Sequence, residues 1–310
     1  MNETNSTESH FLDSSVQWAM TFVSVFGVFS NIFIVSVIVK SQTKGSNYYV
    51  LMANLALSDC LASSLMSITM LTPSLRSFVG SVPKIVILGR IVCSLKSQNL
   101  QFSAMKNSAL IITTISMERF AAVLYPIFYQ QYFSKKVCYV ISVVPWLYTS
   151  MLVLTNEYAS ISVNNGICEQ DYSSFLSVVY GLFNSIDYVL LQLAIPIFCY
   201  LAIALKLSLT MYKRSAAGGG KKSTVMSKAK SKITQTLFVV TFIFIISTFP
   251  CHFHFMVLVN ILNRPVWSLD SFYQKLTTFF VFSNVAVNFF AYPLTNTEFK
   301  NAALKLLKLR

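Results

Sequence analysis

Long apolar runs separated by short polar stretches dominate the chain. Seven of them, at about 17–39, 48–71, 88–124, 137–155, 174–212, 229–262 and 272–294, reach the roughly 20 residues that carry a helix across a bilayer. The third, fifth and sixth exceed that length and are expected to tilt or to project into water. After the seventh, Phe299, Ala302, Ala303, Leu306 and Leu307 recur at helical spacing opposite Lys300, Lys305 and Lys308. This predicts an amphipathic helix within 295–310, lying on the inner leaflet with its lysines at the lipid headgroups. The expected fold is therefore an all-α membrane protein: a seven-transmembrane helix bundle over 17–294, after an extracellular segment 1–16 and before a cytoplasmic amphipathic helix. No internal repeat interrupts it, and the one linker-like stretch is Ser215-Ala216-Ala217-Gly218-Gly219-Gly220.

Composition removes the soluble alternative. Of the 310 residues, 55% are apolar and 11% charged, against about a quarter charged in soluble domains. A net charge of +13 suggests nucleic acid, but the basic residues follow the membrane instead. With the N-terminus outside, sixteen fall on cytoplasmic segments (Lys40, Lys44, Lys135, Lys136, Lys206, Lys213, Arg214, Lys221, Lys222, Lys228, Lys230, Lys232, Lys300, Lys305, Lys308, Arg310). Five fall outside: Arg76, Lys84, Arg90, Arg264 and Lys275. The positive-inside rule fixes that orientation, as expected for a multi-pass plasma-membrane protein with its C-terminus in the cytoplasm and no nucleic-acid partner. Sequons at Asn2 and Asn5 fall on the outer side and are expected glycosylation sites. The first span is expected to act as an uncleaved signal anchor.

Of six cysteines, Cys60, Cys199 and Cys251 lie within spans and Cys138 at the cytosolic mouth. Cys93, at the outer start of the third helix, and Cys168, in the second outer loop, share an oxidising compartment and are expected to form a disulfide.

Ionisable groups in hydrocarbon are functional candidates. Asp59 is in the second span, Lys106 and Asn107 in the third, Asp187 in the fifth, and Asn284 and Asn288 in the seventh. Lys106 and Asp187 fall at comparable depth, so they either pair or leave Lys106 to meet water or an anionic ligand. Along the third helix Gln101, Met105, Ser108, Ile112 and Arg119 share a stripe of about five turns, with one end outside and the other in the cytosol.

Several motifs, in order and on the expected helices, resemble the rhodopsin-like (class A) G-protein-coupled receptors. Asn31 is similar to the family's first-helix Asn, Leu55-Ala56-Leu57-Ser58-Asp59 to its second-helix Leu-Ala-x-x-Asp, and Glu118-Arg119-Phe120 to Asp/Glu-Arg-Tyr. Trp146, Pro196 and Pro250 resemble the fourth-, fifth- and sixth-helix signatures. Asn288-Phe289-Phe290-Ala291-Tyr292 resembles Asn-Pro-x-x-Tyr. The resemblance implies a receptor that passes an extracellular signal, from a chemosensory small molecule or a short peptide, to a heterotrimeric G protein. Glu118, Arg119, Phe120, Pro250, Asn288 and Tyr292 would serve coupling and activation. It further implies that Asp59, Ser108, Asn284 and Asn288 hold an allosteric sodium ion, the only cofactor or metal expected. A transporter or a receptor-like chain that no longer couples are the alternatives.

The departures are specific. The sixth-helix Cys-Trp-x-Pro reads Ser247-Thr248-Phe249-Pro250, Phe289 replaces a proline, and Ala204 stands where a fifth-helix tyrosine is usual. No acid marks the base of the sixth helix to pair with Arg119, so a weakly held resting state and appreciable basal activity are expected. Such loosened motifs resemble the nematode serpentine chemoreceptors. Phe282 stands where opsins carry the retinal lysine, and Gln101 where biogenic-amine receptors carry an aspartate, so neither retinal nor a cationic amine is expected as ligand. The expected pocket comprises Gln98, Gln101, Phe102, Met105, Lys106, Asp187, Tyr188, Gln192, His252, Phe255, Gln274 and Thr278, a mixed aromatic and amide lining suited to a neutral or anionic small molecule or a peptide end. No Ser-His-Asp order, zinc spacing or phosphate loop in a water-facing segment points to an enzyme.

Overall fold

In hydrocarbon every backbone N–H and C=O must be satisfied within its own segment, so apolar runs of this length form helices. The computed structural model describes residues 3–40, 47–72, 86–96, 99–164, 167–170, 175–216, 224–253, 272–295 and 297–307. In chain order the helices are α1 (Glu3–Lys40), α2 (Asn47–Leu71), α3 (Val86–Lys96), α4 (Asn99–Leu124), α5 (Pro126–Tyr132) and α6 (Lys135–Ser160). They continue with α7 (Phe175–Asp187), a π-helical segment (Tyr188–Ala194), α8 (Ile195–Ala216), α9 (Thr224–Phe253), α10 (Phe272–Thr295) and α11 (Thr297–Leu306). Asn2, Gln98, Phe255 and the run Gly218-Gly219-Gly220 lie outside the described residues. Asn5 falls on α1 and Gln274 on α10.

Five stretches are long and apolar enough to cross a membrane on their own: Ser14–Lys40, Asn47–Leu71, Lys135–Thr155, Leu182–Thr210 and Lys275–Leu294. Asn99–Leu124 joins them when taken with Pro126–Tyr132, and the shorter apolar run Phe238–Phe253 of α9 packs against α10 in the same bundle. Large apolar side chains such as Phe22, Leu61, Phe198, Phe242 and Phe290 remain exposed around the outside, as a lipid-facing surface requires.

Prolines set the breaks. Tyr125 precedes Pro126, and the clash of a proline ring with the preceding residue disfavours helix there. Tyr125 adopts φ −124°, ψ 61°, α4 ends, and α5 leaves it at 119°. In the fifth span Pro196 has no N–H for the preceding turn. The π-helical segment directly before it absorbs the mismatch, and Ile195 N–H donates to the Leu190 carbonyl, five residues back. This local rewinding buries both Tyr188 and Gln192.

Small residues let helices approach. A Cβ on Gly27 would come within 2.4 Å of Ser63 Oγ and 2.9 Å of Val285 Cγ2, so α1, α2 and α10 meet here only because position 27 has no side chain. At the other end a two-stranded antiparallel hairpin, β1 (Ile161–Asn164) and β2 (Ile167–Gln170), pairs Val163 with Cys168 and places Cys168 in a disulfide with Cys93 of α3. The amphipathic α11 buries Phe299 and Ala303 and leaves Lys300 and Lys305 exposed. Tyr49 of α2 ties it down by a 3.2 Å hydrogen bond to Glu298.

Candidate functional site

Polar side chains stitch the apolar helices pairwise, which in lipid is where association gains direction. Asn31 donates to the Gly27 carbonyl at 2.9 Å and across to the Val285 carbonyl of α10 at 2.8 Å. Asn54 of α2 accepts from Trp146 Nε1 at 2.9 Å and donates to the Ser142 carbonyl at 3.0 Å, joining α2 to α6. Asn107 donates to the Ser58 hydroxyl at 2.8 Å, and Ser58 donates to the Ala104 carbonyl at 3.2 Å, joining α2 to α4. Thr113 donates to the Leu191 carbonyl at 2.8 Å, a bond from α4 into the π-helical segment.

At mid-bundle, Asp59 is buried and accepts from Asn288 Nδ2 at 2.7 Å, with the Ser108 hydroxyl as a second partner. Asn284 donates to the Ser247 hydroxyl, linking α10 to α9. Asp59, Met105, Ser108, Ile112, Val240, Phe244, Asn284, Val287 and Asn288 line one small cavity, with room for about one water-sized particle. Asn288 Oδ1 is buried and, among the described residues, accepts no hydrogen bond. Carboxylate, hydroxyl and amide oxygens converging on so small a space suit a hard monovalent cation in their donor chemistry. Thr248, standing where the family has tryptophan, donates to the Phe244 carbonyl at 2.7 Å and meets the Tyr188 hydroxyl at 3.3 Å.

At the Arg119 end, Glu118 is buried and takes a two-pronged contact from Arg119, so the ion pair is held between neighbours on one helix. The Tyr129 hydroxyl of α5 also donates to Glu118, and Asn47 of α2 donates to Tyr129 Oη at 3.2 Å and to the Phe133 carbonyl at 2.8 Å. Burial, then the Glu118 carboxylate beside it, push the Tyr129 phenol above its ordinary range, so it remains a donor. The Arg119 guanidinium lies 5.2 Å from the ring centroid of Tyr48, a cation–π contact. Where the sixth-helix acid is missing, aromatic groups of α2 and α5 stand beside the Glu118–Arg119 pair. Tyr200, one turn before Ala204, is buried, hydrogen-bonds Ser116 and Thr241, and lies within electrostatic range of Arg119. Phe120 packs on Tyr125 and Phe198 at 5.9 and 5.8 Å. Tyr292 is fully buried, 5.7 Å from the Phe299 ring. Pro250 lies inside α9 without ending it.

At the disulfide end, Gln101 is fully buried, donating to Thr69 Oγ1 at 2.5 Å and to the Leu95 carbonyl at 3.1 Å, so it straps α2, α3 and α4 together. Lys106 and Asp187 form an ion pair at 2.6 Å. Asn184 accepts from Lys106, Tyr148 and Gln192 donate to Asp187, and Tyr188 stacks on His252 at 3.7 Å. Phe102 meets Phe282 edge to face at 5.9 Å, while Met105 and Thr278 are buried. Sequence reasoning missed Tyr48, Tyr129, Tyr148 and Asn184. Tyr48 and Asn47 begin α2, and no sequence period shows that this corner faces Arg119. The hairpin carrying Cys168 did have a signal, Asn165-Gly166 between β-branched runs.

A seven-helix membrane bundle with a disulfide-tied hairpin at one end, an acid–arginine pair at the other and a buried carboxylate between them defines a transmembrane receptor. The family described as 7 transmembrane receptor (rhodopsin family) matches residues 30–292, and the chain belongs to it. The chain is similar to mouse (Mus musculus) neuropeptide Y receptor type 2, 25% identical over 304 residues, 92% of this chain and 74% of that receptor. It is also similar to pig (Sus scrofa) cysteinyl leukotriene receptor 1, 23% identical over 278 residues, 87% of this chain and 76% of that one. It is a G-protein-coupled signalling receptor, in a family of receptors rather than enzymes.

Proposed function

We propose that the receptor takes its ligand at the disulfide end and engages its G protein at the Arg119 end. The N-terminus and disulfide are then extracellular and the basic segments and α11 cytoplasmic, as the distribution of lysine and arginine supports. Asn2 and Asn5 are glycosylated, and α11 rests on anionic lipid. Relatives named for a peptide and for cysteinyl leukotrienes support a small molecule or a short peptide as ligand. The pocket is built around Phe102, Met105, Lys106, Asp187, Tyr188, Gln192, His252 and Thr278, with Gln101 bracing it.

The observation that carries this reading is the contact between Asp59 and Asn288 beside a cavity also lined by Asn284 and Ser108. These oxygens would hold a sodium ion that favours the resting bundle, because a cation offsets the cost of a buried carboxylate. When α9 moves, the Ser247–Asn284 bond breaks and the cavity collapses. Tyr292 then reorganises toward Arg119, which leaves Glu118 and Tyr48 for the G protein. Replacing sodium by N-methylglucamine at constant ionic strength should raise ligand-free nucleotide exchange by wild-type receptor in nanodiscs. Asp59→Asn should show no such dependence. Equal sodium sensitivity in both proteins would remove Asp59 from the ion site.

A further inference from the structure

The ion pair between the third and fifth spans is asymmetric. Asp187 is well supplied: it receives Lys106 Nζ at 2.6 Å and Gln192 Nε2 at 3.3 Å on Oδ2, and the Tyr148 hydroxyl at 2.7 Å on Oδ1, three donors for about four lone-pair sites. Its side chain is 2% exposed. Lys106 keeps 14% exposure and, among the described residues, gives one N–H to Asp187 and one to Asn184 Oδ1 at 2.5 Å. An ammonium has three donors, and a spare one at this depth is costly unless something accepts from it. The Tyr148 ring covers the ammonium from 5.8 Å, and the stacked Tyr188 and His252 lie next to the pair, His252 within electrostatic range of both charges. A molecule reaching this place meets a carboxylate buried behind its three donors and an ammonium with a donor left. A cationic ligand is repelled by Lys106 and finds the Asp187 carboxylate buried. An anionic acceptor completes the ammonium's shell.

We propose that Lys106 is the recognition group of this pocket, that the ligand presents a carboxylate to it, and that Asp187 is the positioning residue that holds the ammonium in place. This rests on the pocket reading above and gives that pocket a ligand class. The carboxylate takes the third donor and shares the ammonium's charge with Asp187, so its arrival weakens the tie between α4 and the fifth span beside the π-helical segment. Ligand chemistry is thereby linked to a movable part of the bundle.

The test uses full-length receptor in nanodiscs with small aromatic probes of one skeleton: 3-phenylpropionate, 3-phenylpropanamide and 3-phenylpropylamine, with binding read by saturation-transfer NMR at millimolar concentration. N-acetylphenylalanine, added as a second acid, distinguishes a peptide C-terminus from a free small acid. The wild type should bind the acids at least roughly tenfold more tightly than the amine. Lys106→Arg should keep that preference. The paired neutral variant Lys106→Gln with Asp187→Asn, which leaves no lone buried charge, should lose it while still binding the amide. Amide binding without any acid preference in the wild type keeps the pocket and overturns the inference, as does an acid preference that survives the neutral pair. Binding of none of the probes overturns both readings.

Discussion

Arg119 is held by charge within its own helix and by aromatic neighbours from other helices. Its salt bridge is to the adjacent Glu118, and two residues on one helix cannot by themselves lock that helix to another. The inter-helix restraint comes from the Tyr48 ring and from Tyr129, which holds Glu118 while Asn47 holds Tyr129. A cation–π contact out of water contributes about 1–2 kcal/mol. Tyr48→Leu should therefore raise ligand-free nucleotide exchange by roughly threefold or more, whereas Tyr48→Phe, which keeps the ring, should stay close to wild type. Equal exchange in all three proteins would exclude the ring as a restraint. At this scale the sequence exposed the motif residues because their types are rare in hydrocarbon: Asp59, Lys106, Arg119 and Asp187 stood out among apolar neighbours. It did not expose their tyrosine partners, because tyrosine is ordinary in a membrane helix and its partners lie far along the chain, as with Tyr129 and Asn47, 82 residues apart.

Helices of this bundle are positioned by where side chains are missing as much as by where they are. Gly27 admits Ser63 and Val285, and Asn31 one turn on fastens α1 to α10. Gly27→Ala forces neighbours apart and should cost about 1–3 kcal/mol, visible as a lower Tm in detergent. Ser63→Gly should recover part of the loss, and an unchanged Tm for Gly27→Ala would contradict the packing. The disulfide acts at the same scale by closing a loop of 75 residues that contains α4, α5 and α6. Cys93→Ser should lower stability by about 2–4 kcal/mol and reduce surface expression, and Cys168→Ser should do so equally. Hydrophobic run length made the helices legible, since the bilayer imposes one length on all of them. The π-helical segment was not legible, because Pro196 announces a defect without saying how the preceding turn absorbs it. That segment is what brings Tyr188 and Gln192 inward.

The whole molecule is two sites joined through a polar interior. The disulfide end carries the Lys106–Asp187 ion pair, the middle the Asp59 carboxylate beside a small cavity, and the other end the Glu118–Arg119 pair. In α9 and α10 the Ser247 hydroxyl accepts from Asn284, and Asn288 one turn further along donates to Asp59 of α2. The motif order along the chain revealed this plan, while the loosened positions at Thr248, Phe289 and Ala204 left its integrity open. Thr248 is now seen bonded to Tyr188, and Phe289 packs between Phe26 and Phe33 at 5.5 and 5.8 Å. The central claim is that Arg119 transmits the signal to a G protein. It is tested most directly by nucleotide exchange on a panel of purified heterotrimeric G proteins, comparing wild type with Arg119→Ala at matched receptor concentration in nanodiscs without sodium. The account predicts exchange above the empty-nanodisc rate on at least one G protein for the wild type, and its loss in the variant. Exchange that persists unchanged in Arg119→Ala would contradict it.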